Sequence, residues 1–207
     1  MIKIKICGIT NLEDAIAAVK LGADAIGFVF WKNSSRWISP KKVSEIVNEL
    51  PPFFTRVGVF VDAEEREVRE ITDVCKLDAL QFHGKESPNY CRRFKEKRVI
   101  KAFRIKDKKD VKLIGDYDVD AYLLDTHTEG KQGGTGITFD WNLALSIKKY
   151  GMPFILSGGL RIDNVMSAIR KVKPYAVDVS SGVERYPGKK DHRLIRDFIR
   201  QVKQSQD

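Results

Sequence analysis

The sequence predicts an α/β fold, a single (β/α)8 barrel domain spanning residues 1–207. Three observations predict it. Eight short β-rich runs alternate with segments of helical period along the whole chain. Successive runs start 20 to 33 residues apart, which leaves room for one helix and two connections each time. Several runs (AIGFVF, VGVFV, PFIL) are continuously apolar, as expected of strands covered on both faces. Eight βα units imply either an open doubly wound sheet or a closed barrel. Eight is the closure number, and 207 residues is near the lower size limit of that barrel. No composition shift, linker or low-complexity tract marks a second domain.

The strands begin near Ile2, Asp24, Thr55, Asp78, Arg98, Asp120, Pro153 and Tyr175. Between them, Thr10 with Glu13 reads as a capping box for the first helix. Ser39-Pro40 and Ser87-Pro88 each put an N-cap residue before a proline at the first helical position. Val43, Ile46, Val47 and Leu50 fall at i, i+3, i+4 and i+7 and give one helix an apolar face. Leu194, Ile195, Phe198, Ile199 and Val202 do the same near the C-terminus. Cys75, in phase with Val68 and Ile71, and Cys91 read as helix packing residues. Two connections are longer than the rest, at residues 31–39 and 126–138, and are candidate substrate clamps. Pro51, Pro52, Phe53 and Phe54 read either as core or as an interface patch, so both monomer and homodimer stay open.

Composition narrows the function classes. Hydrophobic residues at 43% and charged residues at 31% exclude a disordered chain. The net charge of +9 suits anionic partners without choosing among them. Basic residues are spread over many helices, so a nucleic-acid-binding module is not expected. The longest apolar run, residues 25–31, is too short to span a membrane. Three cysteines without a CxxC pair, and an N-terminus with strand patterning, lead us to expect a cytoplasmic protein. Three scattered histidines (His83, His127, His192) argue against a histidine-based metal site.

In such barrels the chemistry lies where strands end and βα connections begin. The first strand ends at Cys7, a base or nucleophile as thiolate and otherwise a small buried hydrophobe. Lys5 shares its side of the strand. Arg36, between Trp31 and Trp37, can pair with a carboxylate or phosphate or lie in solvent. Gln81 and His83 alternate onto one side at the end of the fourth strand. Asp125 ends the sixth, where it serves as a general acid or as a capping carboxylate. Gly133, Gly134, Thr135 and Gly136 form a glycine-rich loop. Small residues also follow the seventh strand (Gly158, Gly159) and the eighth (Ser180, Ser181, Gly182). Those two loops frequently build a phosphate site in this architecture. Asp178 is placed to point into the barrel mouth.

Quoted in order, KICGIT, GFVF, SSRWIS, RVGVFV, LQFHG, LLDT, GGTG, FDW, LSGGL, DVSSGVE and PGKKD cover nearly the whole chain. Together they make the sequence resemble the phosphoribosylanthranilate isomerase family of tryptophan biosynthesis. The resemblance implies a cofactor-free Amadori rearrangement of a phosphorylated aminosugar. It makes Cys7 the general base and Asp125 the general acid. It gives Arg36 to the substrate carboxylate and Gly158, Gly159, Ser181 and Gly182 to the phosphate. Gly134 and Thr135 close over the substrate, and His83 and Asp178 line the pocket. The acid role calls for a raised Asp125 pKa. The base role calls for a lowered Cys7 pKa, with Lys5 or loop amides as the expected cause. The competing reading is a related phosphosugar barrel isomerase or synthase of histidine or tryptophan biosynthesis. The two inward carboxylates suited to the histidine-pathway isomerase are not matched, because Cys7 ends the first strand.

Overall fold

A computed structural model describes residues 1–105, 108–125 and 141–205. Within them eight parallel strands close into a barrel in chain order. They are β1 (Lys3–Cys7), β2 (Ala25–Val29), β3 (Thr55–Phe60), β4 (Ala79–Phe82), β5 (Arg98–Arg104), β6 (Ala121–Asp125), β7 (Phe154–Ser157) and β8 (Ala176–Val179). β1 closes the ring, with Lys5 in register with Ala25 on one side and Asp178 on the other. The helices are α1 (Leu12–Leu21), α2 (Pro40–Asn48), α3 (Glu65–Val74), α4 (Pro88–Cys91), α5 (Lys108–Ile114), α6 (Trp141–Ile147), α7 (Val165–Val172) and α8 (His192–Gln204). A short hairpin, β9 (Glu184–Tyr186) and β10 (Lys189–Lys190), follows β8 and has no counterpart in the sequence reading.

Strand alternation sorts the core into two compartments. Ile4, Ile6, Phe28, Leu80, Phe82, Leu124, Leu156 and Val177 point outward and pack under the helices. Val57, Ala79, Ile100, Ala102, Ala121, Leu123, Ile155 and Ala176 point inward and fill the interior with a mixture of branched and small side chains. Cys7, Val29 and Val59 form a further apolar layer. Outside the barrel, Phe30, Phe60, Phe82 and Phe94 form a continuous line of ring contacts. Each such ring contributes roughly 1.5–3 kcal/mol through burial.

The caps at Ser39 and Ser87 form as expected: each side chain accepts a backbone N–H three residues on. The capping box at Thr10 does not. Asn11 caps α1 instead, accepting from the Asp14 backbone N–H at 2.9 Å. Thr10 donates its hydroxyl to the Gly188 carbonyl, and Glu13 pairs with Lys189. Long-range partners on the hairpin take both residues of the expected box.

Two buried polar centres fasten the ends of the barrel. Lys101 points outward from β5 and donates to Glu86 at 3.1 Å and to the Gly84 carbonyl at 2.8 Å. Glu86 in turn accepts the backbone N–H groups of Asp62 and Gly84, which ties together the connections after β3 and β4. Asp14, fully buried on α1, accepts from Lys189 Nζ, the Lys190 backbone N–H and His192 Nε2 at 2.8–2.9 Å. It joins the first helix to the hairpin and to α8.

Candidate active site

Parity in β1 sends Ile4 and Ile6 outward and Lys5 and Cys7 inward. Both inward residues are buried. Gly27, at the middle of β2, makes the space: a Cβ there would lie 2.8 Å from Cys7 Sγ and 3.1 Å from Lys5 Cε. Lys5 Nζ donates to Gln81 Oε1 at 2.8 Å and to Asp178 Oδ1 at 2.9 Å. Ser157 donates its hydroxyl to the second oxygen of Asp178 at 3.2 Å. Gln81 Nε2 lies 3.0 Å from His83 Nδ1, and His83 Nε2 lies 3.1 Å from Asp125 Oδ2. One unbroken network therefore runs across the mouth, from Ser157 on β7 to Asp125 on β6.

The electrostatics correct one expectation. Burial pushes the Cys7 thiol up from its usual range, and this outweighs the lowering by the Lys5 and Lys190 charges. Asp178 adds to the upward shift because it brings a negative charge alongside. Lys5 acts on the thiol by charge and by hydrogen bond, but it shares its ammonium with Asp178 and Gln81. Burial alone would depress the Lys5 ammonium, but Asp178 and Cys7 outweigh it and hold it above its ordinary value.

Arg36 lies across Gly8, where a Cβ would come within 2.6 Å of its Cδ. Its Nε and Nη2 donate to the two oxygens of Glu184 at 2.8 and 2.7 Å. Glu184 also accepts from the buried Lys190 at 2.8 Å. Desolvation lowers the Lys190 ammonium, and its carboxylate partner only partly restores it. Nη1 takes no part in the Glu184 pair, so among the described residues the guanidinium keeps one edge outside that pair. Trp31 and Trp37 flank this segment, each partly exposed.

The two glycine turns meet directly. Gly158 and Gly159 leave β7 with φ of 80° and 66°, the left-handed region that suits glycine. Gly182 sits in a 3-10 turn, Ser181–Val183, after β8. A Cβ on Gly182 would lie 1.9 Å from the Leu160 carbonyl oxygen, so the two turns touch backbone to backbone. Gly134 and Thr135, with the connection at residues 126–138, lie outside the described residues.

Cys7, His83, Asp125 and Asp178 thus gather at one end of the barrel, with Arg36 beside them and the β7 and β8 turns adjacent. The sequence reading missed Glu184 as the partner of Arg36, and Ser157, Gln81 and Lys190 as members of the site. Only Gln81 carried a signal, its alternation with His83. A cavity of about 920 Å³ between Met1, Ile2, Leu21, Ile199 and Arg200 lies elsewhere and shares no residue with this cluster.

A barrel that gathers titratable side chains at the C-terminal ends of its strands has the architecture of the barrel enzymes. Comparison with known proteins narrows this. The family model for N-(5'-phosphoribosyl)anthranilate isomerase matches residues 4–201. Curated N-(5'-phosphoribosyl)anthranilate isomerases from Geobacter sp. strain M21 and Thermotoga petrophila are 51% and 50% identical, each covering 98% of this chain and 98% and 99% of their own. The crystal structure of phosphoribosyl anthranilate isomerase from Thermotoga maritima superposes with a TM-score of 0.93 at 48% identity, over 99% of this chain and all of that one. A second isomerase structure, in complex with reduced 1-(o-carboxyphenylamino)-1-deoxyribulose 5-phosphate, gives 0.90 at 46%, with the same coverage. The chain belongs to the N-(5'-phosphoribosyl)anthranilate isomerase family. Among the described residues, no helix is long and apolar enough to cross a membrane.

Proposed function

We propose that the chain converts N-(5'-phosphoribosyl)anthranilate to 1-(2-carboxyphenylamino)-1-deoxyribulose 5-phosphate, with Asp125 as general acid and Cys7 as general base. The observation that carries the assignment is the placement of these two groups at the ends of β6 and β1, facing one mouth, with Lys5 beside Cys7 joined through Gln81 and His83 to Asp125. Asp125 in its protonated form gives a proton to the furanose ring oxygen. The C1–O bond breaks, and the nitrogen lone pair forms a protonated Schiff base. Cys7 thiolate then removes the C2 proton, the electrons neutralise the iminium nitrogen, and the enolamine tautomerises to the ketone.

The raised Cys7 pKa fits this order of events. The thiolate is needed only once the ring has opened, and the Schiff base then adds a positive charge that favours it. Lys5 and Lys190 already act in the same direction. The spare edge of Arg36 takes the anthranilate carboxylate. Backbone N–H groups of Gly158, Gly159, Ser181 and Gly182 take the phosphate, with Gly134 and Thr135 closing over it. His83 and Asp178 shape the pocket. The net charge of +9 steers a substrate carrying both a carboxylate and a phosphate. This chemistry asks nothing of a cofactor.

The test is turnover of substrate made in situ from anthranilate and phosphoribosyl pyrophosphate, followed by loss of fluorescence. Cys7→Ala and Asp125→Asn should each lower kcat by about 10²-fold or more. Full activity in either variant overturns that residue's role, and an inactive, folded wild type overturns the reaction.

We further propose a homodimer in a reducing cytoplasm. Phe53, 98% exposed in the connection before β3, offers an apolar side chain to such a contact. A structural relative from Thermotoga maritima is described as dimeric. All three cysteines are free and buried. A Phe53→Glu chain that sediments with the wild-type mass rejects that contact.

A further inference from the structure

We propose that Gln81 is a positioning residue: held by Lys5, it fixes His83 as the neutral tautomer with its proton on Nε2, and so sets where the Asp125 proton sits. The argument follows donors and acceptors through the network. An ammonium only donates. Lys5 Nζ, 2.8 Å away, therefore requires the oxygen of the Gln81 amide. The amide nitrogen must then face His83 Nδ1, 3.0 Å away. An amide NH2 also only donates, so Nδ1 must present a lone pair. A neutral imidazole with a bare Nδ1 carries its proton on Nε2. That nitrogen lies 3.1 Å from Asp125 Oδ2, which accepts.

The constraint holds because its anchor is fixed. Lys5, Gln81 and Asp178 are all buried, and Asp178 keeps Lys5 charged and in place. Adding a proton to Nδ1 would set two donors face to face. The amide cannot turn round to relieve them without aiming its own NH2 at the ammonium. His83 is thereby kept from acting as an imidazolium shuttle. With Oδ2 accepting from Nε2–H, that oxygen is disfavoured as the seat of the proton in the acid form of Asp125. The lysine beside the base thus orients the acid on the far side of the mouth through two neutral side chains.

This inference rests on the reading of Asp125 as general acid, and the test separates the two. The full chain is labelled with nitrogen-15 histidine, and the His83 signals are identified by their loss in His83→Asn. At pH 7 the wild-type spectrum should show Nδ1 unprotonated and Nε2 protonated. Gln81→Glu keeps the side-chain shape but can accept from both Lys5 and Nδ1–H. It should move a proton onto Nδ1 and lower kcat by about 10²-fold, with KM changed by less than about threefold. A wild-type Nδ1 that carries a proton overturns the proposal without any variant. A Gln81→Glu chain that shifts the proton yet keeps wild-type kcat also overturns it. An inactive wild type would reject the Asp125 assignment and the catalytic half of this proposal, while the nitrogen shifts still decide the tautomer.

Discussion

Gly182→Ala isolates the contact between the β7 and β8 turns. The added Cβ would lie 1.9 Å from the Leu160 carbonyl oxygen, whereas such contacts are essentially never under 3.0 Å, so the two backbones must separate by about 1 Å. Gly182 does not adopt a positive φ, so alanine meets no backbone strain there and the whole effect is steric. Leu160 is buried and cannot simply swing away. Forcing extra atoms into such a packed site costs about 1–3 kcal/mol. For a chain of this length that lowers Tm by roughly 3–10 °C, leaving it folded. The larger effect falls on function. A misplacement of about 1 Å in the groups that hold the substrate costs on the order of 10² in kcat/KM. Gly151→Ala is the control, because it precedes β7 away from the site and its Cβ would meet nothing within 4 Å while φ of 69° makes alanine strained. That strain costs about 1–2 kcal/mol without pushing the turns apart. Thermal melts should therefore place the two variants close together, and steady-state kinetics should separate them. Competition by inorganic phosphate should weaken in Gly182→Ala and much less in Gly151→Ala. A folded Gly182→Ala chain with kcat/KM within about twofold of wild type would refute the reasoning.

Further outcomes follow from the buried groups. Because the Cys7 thiol is raised, its thiolate is a minor species at pH 7, and inactivation by iodoacetamide should accelerate about tenfold per pH unit from 7 to 8.5; a rate already level below pH 8 contradicts this. Burial pushes Cys75 and Cys91 up to about 11, so the folded chain holds their protons more tightly than the unfolded chain. Their contribution to stability is complete below the ordinary thiol range and is lost as pH rises toward about 11, which urea midpoints at pH 8 and pH 10 would reveal as a fall. Lys101→Met strands Glu86 without its ammonium partner and should cost about 3–5 kcal/mol, read as a depressed urea midpoint with kcat/KM less affected in the surviving folded chain. Phe82→Ala opens a gap between Phe60, Tyr90 and Phe94 and should cost a similar 3–5 kcal/mol in the same assay.

The barrel was legible because its signals are local. Covered strands read as apolar runs, and all eight expected runs agree with the observed strands to within one residue at each end. The serine caps at Ser39 and Ser87 were legible for the same reason. Thr10 was misjudged because a carbonyl 178 residues away competes for its hydroxyl. Glu184 was invisible as the partner of Arg36 because 148 residues separate them and either could have faced solvent. The Cys7 pKa was misjudged in direction because sequence shows the neighbouring lysine but not how fully the thiol is removed from water. The positions of Cys7 and Asp125 at strand tips followed from alternation; the chain of contacts between them did not, since it needs the ring to close.

Asp14 ties the making of the protein to its end. The carboxylate belongs to the first helix, yet the lysine, backbone amide and histidine that satisfy it arrive about 175 residues later. A nascent chain emerging from the ribosome carries that charge with only the neighbouring Asn11 side chain donating to it until the hairpin appears, so the first βα units have no finished home for it. Fragments that stop before Lys189 should stay open and prone to association. A chain rejoined end to end and cut elsewhere would keep the clasp intact. What makes the ring a ring is a junction between the first and the last βα units of the barrel.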